Sequence, residues 1–394
     1  MALLDLWNKT PDQLKDKQVQ QLIAFSGEGK LLDGSDCSQE FRSFLASVPS
    51  GNLEAYADQC LSHTFQDSGF ALQDVVNEVG VRLGGEVERG RYRGTAGKIG
   101  NDGLWKFPNG HSIVVEVKTT DAYRIDLNVI AGYRKELIKS GKIAESASSI
   151  LLIVGRQDTG DLEAQIRGSR HAWDVRIISV DALIRLMSIK EEVEDPQIVQ
   201  RIHNILIPRE FTRLDEIAEI LFSAAEEIKQ ETVEFEEEGG ASEKKTKEPK
   251  FTPVAFHDAC ITRIQKSLNE TLVKRTRAQY STPDKMTVVN CAVSKEHNSD
   301  TNPNYWFAFH PHQREVLEKA DRAFVALGCG TSKRVLLIPF TEFDPLLEGM
   351  WTTQKDGRSY WHVVIYRKDE KYSLHRKKGE KNIDVTPYLV GTDV

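Results

Sequence analysis

Asp102, Glu116 and Lys118 are the side chains of this sequence whose types and spacing best suit chemistry. Two carboxylates can hold Mg²⁺, a hard cation that takes oxygen ligands and usually fills its shell with one or two carboxylates, water and substrate phosphate. Such an ion binds a nonbridging phosphate oxygen, neutralises charge in the transition state and acidifies a bound water, while a lysine ammonium orients that water. The three residues together suit hydrolysis of a phosphodiester, with Mg²⁺ or Mn²⁺ as the metal.

The elements around them decide whether they meet. Side chains alternate across a strand, so in Ser112 to Lys118 the pair Glu116 and Lys118 shares one face and Ile113, Val115 and Val117 take the other, expected to be the core face. Asp102 lies before a second strand, Gly103 to Phe107, and its face depends on the connection. A two-residue Asn109-Gly110 turn would pair 103 with 116 and turn Asp102 away. A three-residue Pro108-Asn109-Gly110 loop pairs 107 with 111, 105 with 113 and 102 with 116, and also sends Trp105 and Phe107 to the core face. The hydrophobic pattern selects the second register.

Helices are expected over the first 83 residues, then a strand Val87 to Tyr92 ahead of the pair just described. A helix near Asp126 to Ser140 follows, then a strand Ser149 to Val154, a helix Gly160 to Arg167, a strand Val175 to Val180 and a helix behind Asp181. One more helix, Phe211 to Ile228, precedes a stretch from 231 to 250 that is nearly free of apolar residues and reads as a charged linker. Beyond it, a helix Val254 to Leu272 leads into strands at Met286–Val293, Tyr305–Phe309, Ala323–Leu327 and Arg334–Phe340, and a hairpin of His362–Arg367 with Tyr372–Arg376. This is an α+β module of ordinary domain size.

Asn101-Asp102, thirteen residues, then Glu116-Val117-Lys118, set in an order of helix, three strands, helix and strand, resembles the PD-(D/E)XK nuclease superfamily. Asn101 stands where the name motif has proline. The resemblance spans roughly Phe70 to Val180 and implies an α/β fold with a mixed-sheet, restriction-endonuclease-like core preceded by helices. It implies Asp102 and Glu116 as metal ligands and Lys118 as the catalytic lysine. The domains expected are a helical region 1–66, a nuclease domain 67–230, the linker 231–250 and a recognition or sensing domain 251–394. The implied function is a metal-dependent endonuclease of restriction or phage defence, acting on double-stranded DNA as a homodimer because each chain has one site. Two rivals stay open: a nucleic-acid-binding subunit that has lost catalysis, and an effector nuclease released by a ligand of the C-terminal module.

Glu78 is a further candidate, on a helix whose apolar stripe is Leu72, Val75, Val76, Val79 and Leu83; at 100° per residue it either reaches the site or faces water. Gln165, after the fourth strand, stands similarly, and Arg167 and Arg170 beside it either contact phosphate or are solvated.

Charge is distributed unevenly. Phe251 to Val394 holds 21 Lys and Arg against 17 Asp and Glu, which leaves −11 for the first 250 residues out of a net −7. Within that acidic half, Arg82 to Lys142 is basic, twelve against seven, and includes Arg89-Gly-Arg-Tyr-Arg-Gly94, a place suited to an anion. A mean hydropathy of −0.42 and no long apolar run exclude a membrane span. Five scattered cysteines and an N-terminus without a leader pattern lead to the expectation of a reduced, cytoplasmic setting.

Other groupings are weaker. Gly328-Cys-Gly-Thr-Ser-Lys333 lacks the spacing of a phosphate loop, and His310, His312 and Cys329 have no second cysteine at zinc-ligand spacing. The aromatics Tyr305, Trp306, Phe307, Phe309, Trp351, Tyr360, Trp361 and Tyr366 can build a core or a base-stacking surface; Lys274, Arg275, Arg277 and His375-Arg-Lys-Lys378 supply the basic side chains a nucleic-acid surface needs.

Overall fold

The computed structural model describes residues 2–63, 65–93, 99–119, 125–155, 160–208, 253–297, 303–355, 358–377 and 380–391. The chain divides into two units, Met1–Glu227 and Ile228–Val394. The expected helix 211–228, the linker 231–250, Gly94 and Lys378 lie outside the described residues.

Unit 1 opens with helices α1 (Ala2–Lys9), α2 (Val19–Phe25), α3 (Asp36–Ser47), α4 (Ser50–Ser62) and α5 (Ser68–Arg82). A buried carboxylate ties the first three together. Glu40 on α3 accepts the N–H groups of Leu3 and Leu4 at the start of α1 through Oε1, and that of Gly27 after α2 through Oε2. Those are donors a helix start or a turn would otherwise leave unmet.

The strands β1 (Glu86–Arg89), β2 (Gly103–Lys106), β3 (Ser112–Lys118), β4 (Ser148–Val154) and β5 (Val175–Ser179) form one sheet in chain order. The first three are antiparallel and the last two add in parallel, so the sheet is mixed. Parallel strands require long crossovers, here through α6 (Leu127–Lys139) between β3 and β4 and α7 (Gly160–Arg167) between β4 and β5. Helices α8 (Val180–Glu191) and α9 (Pro196–Ile205) follow.

Both faces of the sheet are covered. Trp105, Phe107, Ile113, Val115, Leu151 and Ile153 pack with α5, α8 and the N-terminal helices, while Leu104, Val114, Ile150, Leu152 and Val154 pack with α6 and α7. This corrects the expectation of one core face on β3. The face that carries Glu116 and Lys118 is itself apolar at Val114, because the crossover helices must cover it.

Unit 2 contains α10 (Pro253–Leu268) and two five-stranded sheets. The first orders β11 (Val335–Pro339), β10 (Arg322–Cys329), β8 (Thr287–Ser294), β7 (Gln279–Ser281) and β6 (Val273–Lys274), with β8 and β10 parallel. The second orders β12 (Trp351–Lys355), β13 (Arg358–Lys368), β14 (Lys371–His375) and β15 (Ile383–Asp384), with β9 (Asn304–Phe309) also on β13. A core containing Tyr305, Phe307, Val325, Leu336 and Ile365 joins them. No helix among the described residues is long and apolar enough to cross a membrane.

Candidate active site

The register of β2 on β3 is the one selected by the three-residue loop: Gly103 pairs Val115, Trp105 pairs Ile113, and Phe107 N–H donates to His111 O at 3.0 Å. The ladder ends at Gly103, however, and Asp102 is not in register opposite Glu116. Its N–H instead doubles up on Val115 O at 3.0 Å, so two successive residues face one partner, as in a β-bulge.

This displacement sets the direction of the Asp102 side chain. The Asp102 carbonyl accepts three donors: Gly90 N–H at 2.9 Å, Gln73 Nε2 at 3.0 Å and Asn77 Nδ2 at 2.9 Å. With its main chain held by α5 and the end of β1, its carboxylate Oδ2 accepts the Val117 N–H of β3 at 2.7 Å. Gly103 permits the arrangement. A Cβ there would stand 2.3 Å from Asn77 Oδ1 and 3.2 Å from Trp105 Nε1, which donates to that same oxygen.

Glu116 is only 7% exposed. Its Oε1 accepts from Lys118 Nζ at 2.6 Å, and its Oε2 is buried with no hydrogen-bond partner among the described residues. Burial, and then the negative charge of Glu116, push Asp102 up to about 7, opposed by the Val117 N–H and Lys118. For Lys118, burial alone would lower the ammonium, but the bond to Glu116 and the charges of Glu116 and Asp102 outweigh it and hold it above its ordinary value. Lys118 is therefore a cation at neutral pH. The side chain is 35% exposed and bridges the buried carboxylate to solvent.

Tyr133 of α6 is a residue that no motif signalled. A Cβ on Gly100, two residues before Asp102, would lie 2.9 Å from its hydroxyl, and its phenol is pushed up by burial and by the charge of Glu116. Gln73 and Asn77 were equally silent. Their signal in retrospect is the run Gln73-Asp74 and Asn77-Glu78 inside an otherwise apolar, buried helix.

The other candidates are committed elsewhere. Glu78 is 1% exposed and pairs through Oε1 with Arg82 at 3.3 Å and through Oε2 with Arg89 at 3.2 Å, so it neither faces water nor presents a free oxygen to the carboxylate pair. Gln165 clamps the main chain of Ile125, accepting its N–H at 3.2 Å and donating to its carbonyl, which anchors the start of α6. Arg170 donates to Asn128 Oδ1 at 3.0 Å beside a cavity of about 600 Å³, and Arg167 lies 4.0 Å from Glu163. The basic island is partly structural too: Arg89 is paired with Glu78, and the buried Tyr92 bonds through its hydroxyl to Asp74. In unit 2, Arg275 is buried on Ser281 Oγ at 2.8 Å rather than displayed.

The donor set at Asp102 and Glu116 consists of hard oxygens, one of them buried and unmet. That fits a Mg²⁺-like cation completed by water and phosphate, and fits a zinc-like cage poorly. No group of three or more His, Cys, Asp or Glu that could hold a metal occurs among the described residues. No protein-family model matches the chain, and no curated protein matches it in sequence.

Proposed function

We propose that unit 1 is a metal-dependent endodeoxyribonuclease with a restriction-endonuclease-like core, whose active site is Asp102, Glu116 and Lys118. The carrying observation is the unmet Oε2 of Glu116, buried beside a second carboxylate that is itself pushed up to about 7. Asp102, a buried acid whose ionisation is opposed by the negative charge of Glu116, would be relieved by a bound cation.

Asp102 and Glu116 would hold Mg²⁺, with Mn²⁺ able to substitute. When bound, the ion supplies charge neutralisation at a nonbridging phosphate oxygen and acidifies water. Lys118 donates from Nζ. Because it stays an ammonium, its part is to orient the attacking water and stabilise charge at the phosphate. The Val117 N–H fixes the Asp102 carboxylate, and Gln73 and Asn77 fix its main chain, so the acid is positioned before any ligand arrives. One site per chain implies a homodimer if both strands of a duplex are cut.

Supercoiled plasmid, phage DNA and modified DNA incubated with the protein and Mg²⁺ or Mn²⁺ test this reading, alongside calorimetric titration of Mn²⁺. Cutting that stops in EDTA, with Mn²⁺ binding lost in Asp102→Asn, supports it. Absence of both metal binding and cutting on every substrate, RNA included, overturns it.

A further inference from the structure

A sheet with one face on a core normally turns polar residues to solvent on the other. The second sheet of unit 2 does not. Along β9, Tyr305, Phe307 and Phe309 are buried, and along β13 so are Val363 and Ile365. The alternate residues Trp306, Tyr360, His362 and Tyr366 lie half-buried on the opposite face. Two neighbouring strands add to them: Trp351 of β12 pairs with His362, and His375 of β14 pairs with Val364. None of these six rings belongs to the core between the sheets.

The rings form two connected groups. Trp306, Tyr360 and His362 have centroids 5.0 to 6.2 Å apart. Trp351 stacks on His375 at 5.1 Å and 23°, and Tyr366 meets the same imidazole at 5.1 Å. The first group is held in place by hydrogen bonds. Trp306 Nε1 donates to His362 Nδ1 at 3.0 Å, and His362 Nε2 lies 2.6 Å from Thr353 Oγ1. Trp351 is 37% exposed.

Charge on this face is arranged at one end. Lys368 and Lys371, both exposed, are paired opposite each other where β13 turns into β14. Of the acids near them, Glu370 lies 3.7 Å from Arg367, Asp384 on β15 accepts the Thr386 N–H at 2.9 Å, and Asp369 is exposed in the turn between the two lysines.

We propose that this face binds single-stranded DNA, with unpaired bases stacking on the rings and phosphates meeting the Lys368 and Lys371 end. Every base has a π-face, whereas a duplex keeps its bases stacked inside and offers a flat ring surface nothing to stack on. The two exposed lysines on the ring face complement a polyanion. The choice of DNA over RNA rests on the nuclease reading of unit 1, but the site does not, since no metal or cleavage enters it.

The full chain in EDTA is titrated against a short fluorescein-labelled single-stranded DNA, its matched duplex and the RNA of the same sequence, followed by anisotropy. The expected result is saturable, salt-weakened binding of the single-stranded DNA, with the RNA weaker and any duplex binding by unit 1 unchanged in the ring variants. Tyr360→Ala and Trp351→Ala should each weaken binding about tenfold at unchanged melting temperature, and Tyr360→Phe, which keeps the ring, should bind as the parent does. Should Tyr360→Ala melt early, the exposed Trp351→Ala decides alone. The proposal is overturned if single-stranded DNA does not bind, if RNA binds better, or if the alanine variants bind single-stranded DNA as tightly as the parent. It is also overturned if Trp351→Ala only dissociates a dimer in sedimentation, which would make the face a contact between copies. Because binding is read without metal and through substitutions on the ring face alone, this proposal and the nuclease reading can fail separately.

Discussion

The carboxylate of Asp102 accepts the backbone N–H of Val117 at 2.7 Å, replacing a ladder bond that β2 does not make past Gly103. One hydrogen bond thus ends the pairing of two strands and holds a carboxylate beside Glu116. Asp102→Asn keeps an oxygen for Val117, so at pH 5, where Asp102 is itself protonated, its melting temperature should stay close to that of the parent. Cleavage should fall by roughly 10²-fold or more. Asp102→Ala should also unfold more easily, by about 1 kcal/mol, through loss of that acceptor. Denaturation curves and initial cleavage rates of the two variants side by side check this; equal cutting by Asp102→Asn and the parent would remove Asp102 from the site.

Protonation of Asp102 makes metal binding pH-dependent. The group is pushed up to about 7 in the folded protein, from 3.8 ordinarily. A cation must displace that proton, so Mn²⁺ affinity should rise about tenfold per pH unit below 7 and level off above it. Calorimetry at pH 5.5, 6.5 and 8 is the measurement, and a flat profile is incompatible with Asp102 as a ligand.

The same shift affects stability in the absence of metal. Between about 4 and 7 the folded chain holds a proton that the unfolded chain has released, so the contribution of Asp102 is fully present below the unfolded value and is lost as pH rises through 7. Asp102→Asn lacks this loss. Urea melts in EDTA should show the variant gaining on the parent between pH 5 and pH 8; an unchanged difference would contradict the assignment.

Lys118 is the counter-ion of a buried acid, so its removal carries a structural cost. Lys118→Ala should abolish cleavage by about 10²-fold or more and also destabilise the fold by about 1 to 3 kcal/mol, because Glu116 is then left without its donor. The double variant Glu116→Gln with Lys118→Met should recover most of that stability and none of the activity. Chemical denaturation of the single and double variants separates the two roles.

Gly103→Ala tests the positioning by α5. Its Cβ would press on Asn77 Oδ1, the atom that also receives Trp105 Nε1–H, so β2 must move from α5. A loss of about 1 to 3 kcal/mol and a drop in metal affinity at Asp102 are expected, read by thermal melts and Mn²⁺ titration.

Local patterns in the chain were enough for the register between the two strands that adjoin the candidate residues. Pro108-Asn109-Gly110 sets the loop, and placing Trp105, Phe107, Ile113 and Val115 on one core face leaves one pairing, which is the pairing observed. In unit 2 the alternation of Tyr305, Phe307 and Phe309 with Trp306 was likewise present in the sequence, but which parity faced the core was not. Alternation encodes two faces; only the second sheet packed behind them selects one.

The tertiary structure alone decided the surroundings. Glu78 and Gln165 carry groups able to serve a site, yet Arg82 and Arg89 lie against the first and the Ile125 main chain against the second. Asp102 leaves the ladder where two side chains one turn apart on α5, Gln73 and Asn77, capture its carbonyl. Tyr133 enters from a crossover helix. Apart from Arg82, one turn from Glu78 on the same helix, the partners are distant along the chain, and a buried polar group goes to whichever complementary group the packing brings within hydrogen-bond reach; residue type and local spacing do not specify that group.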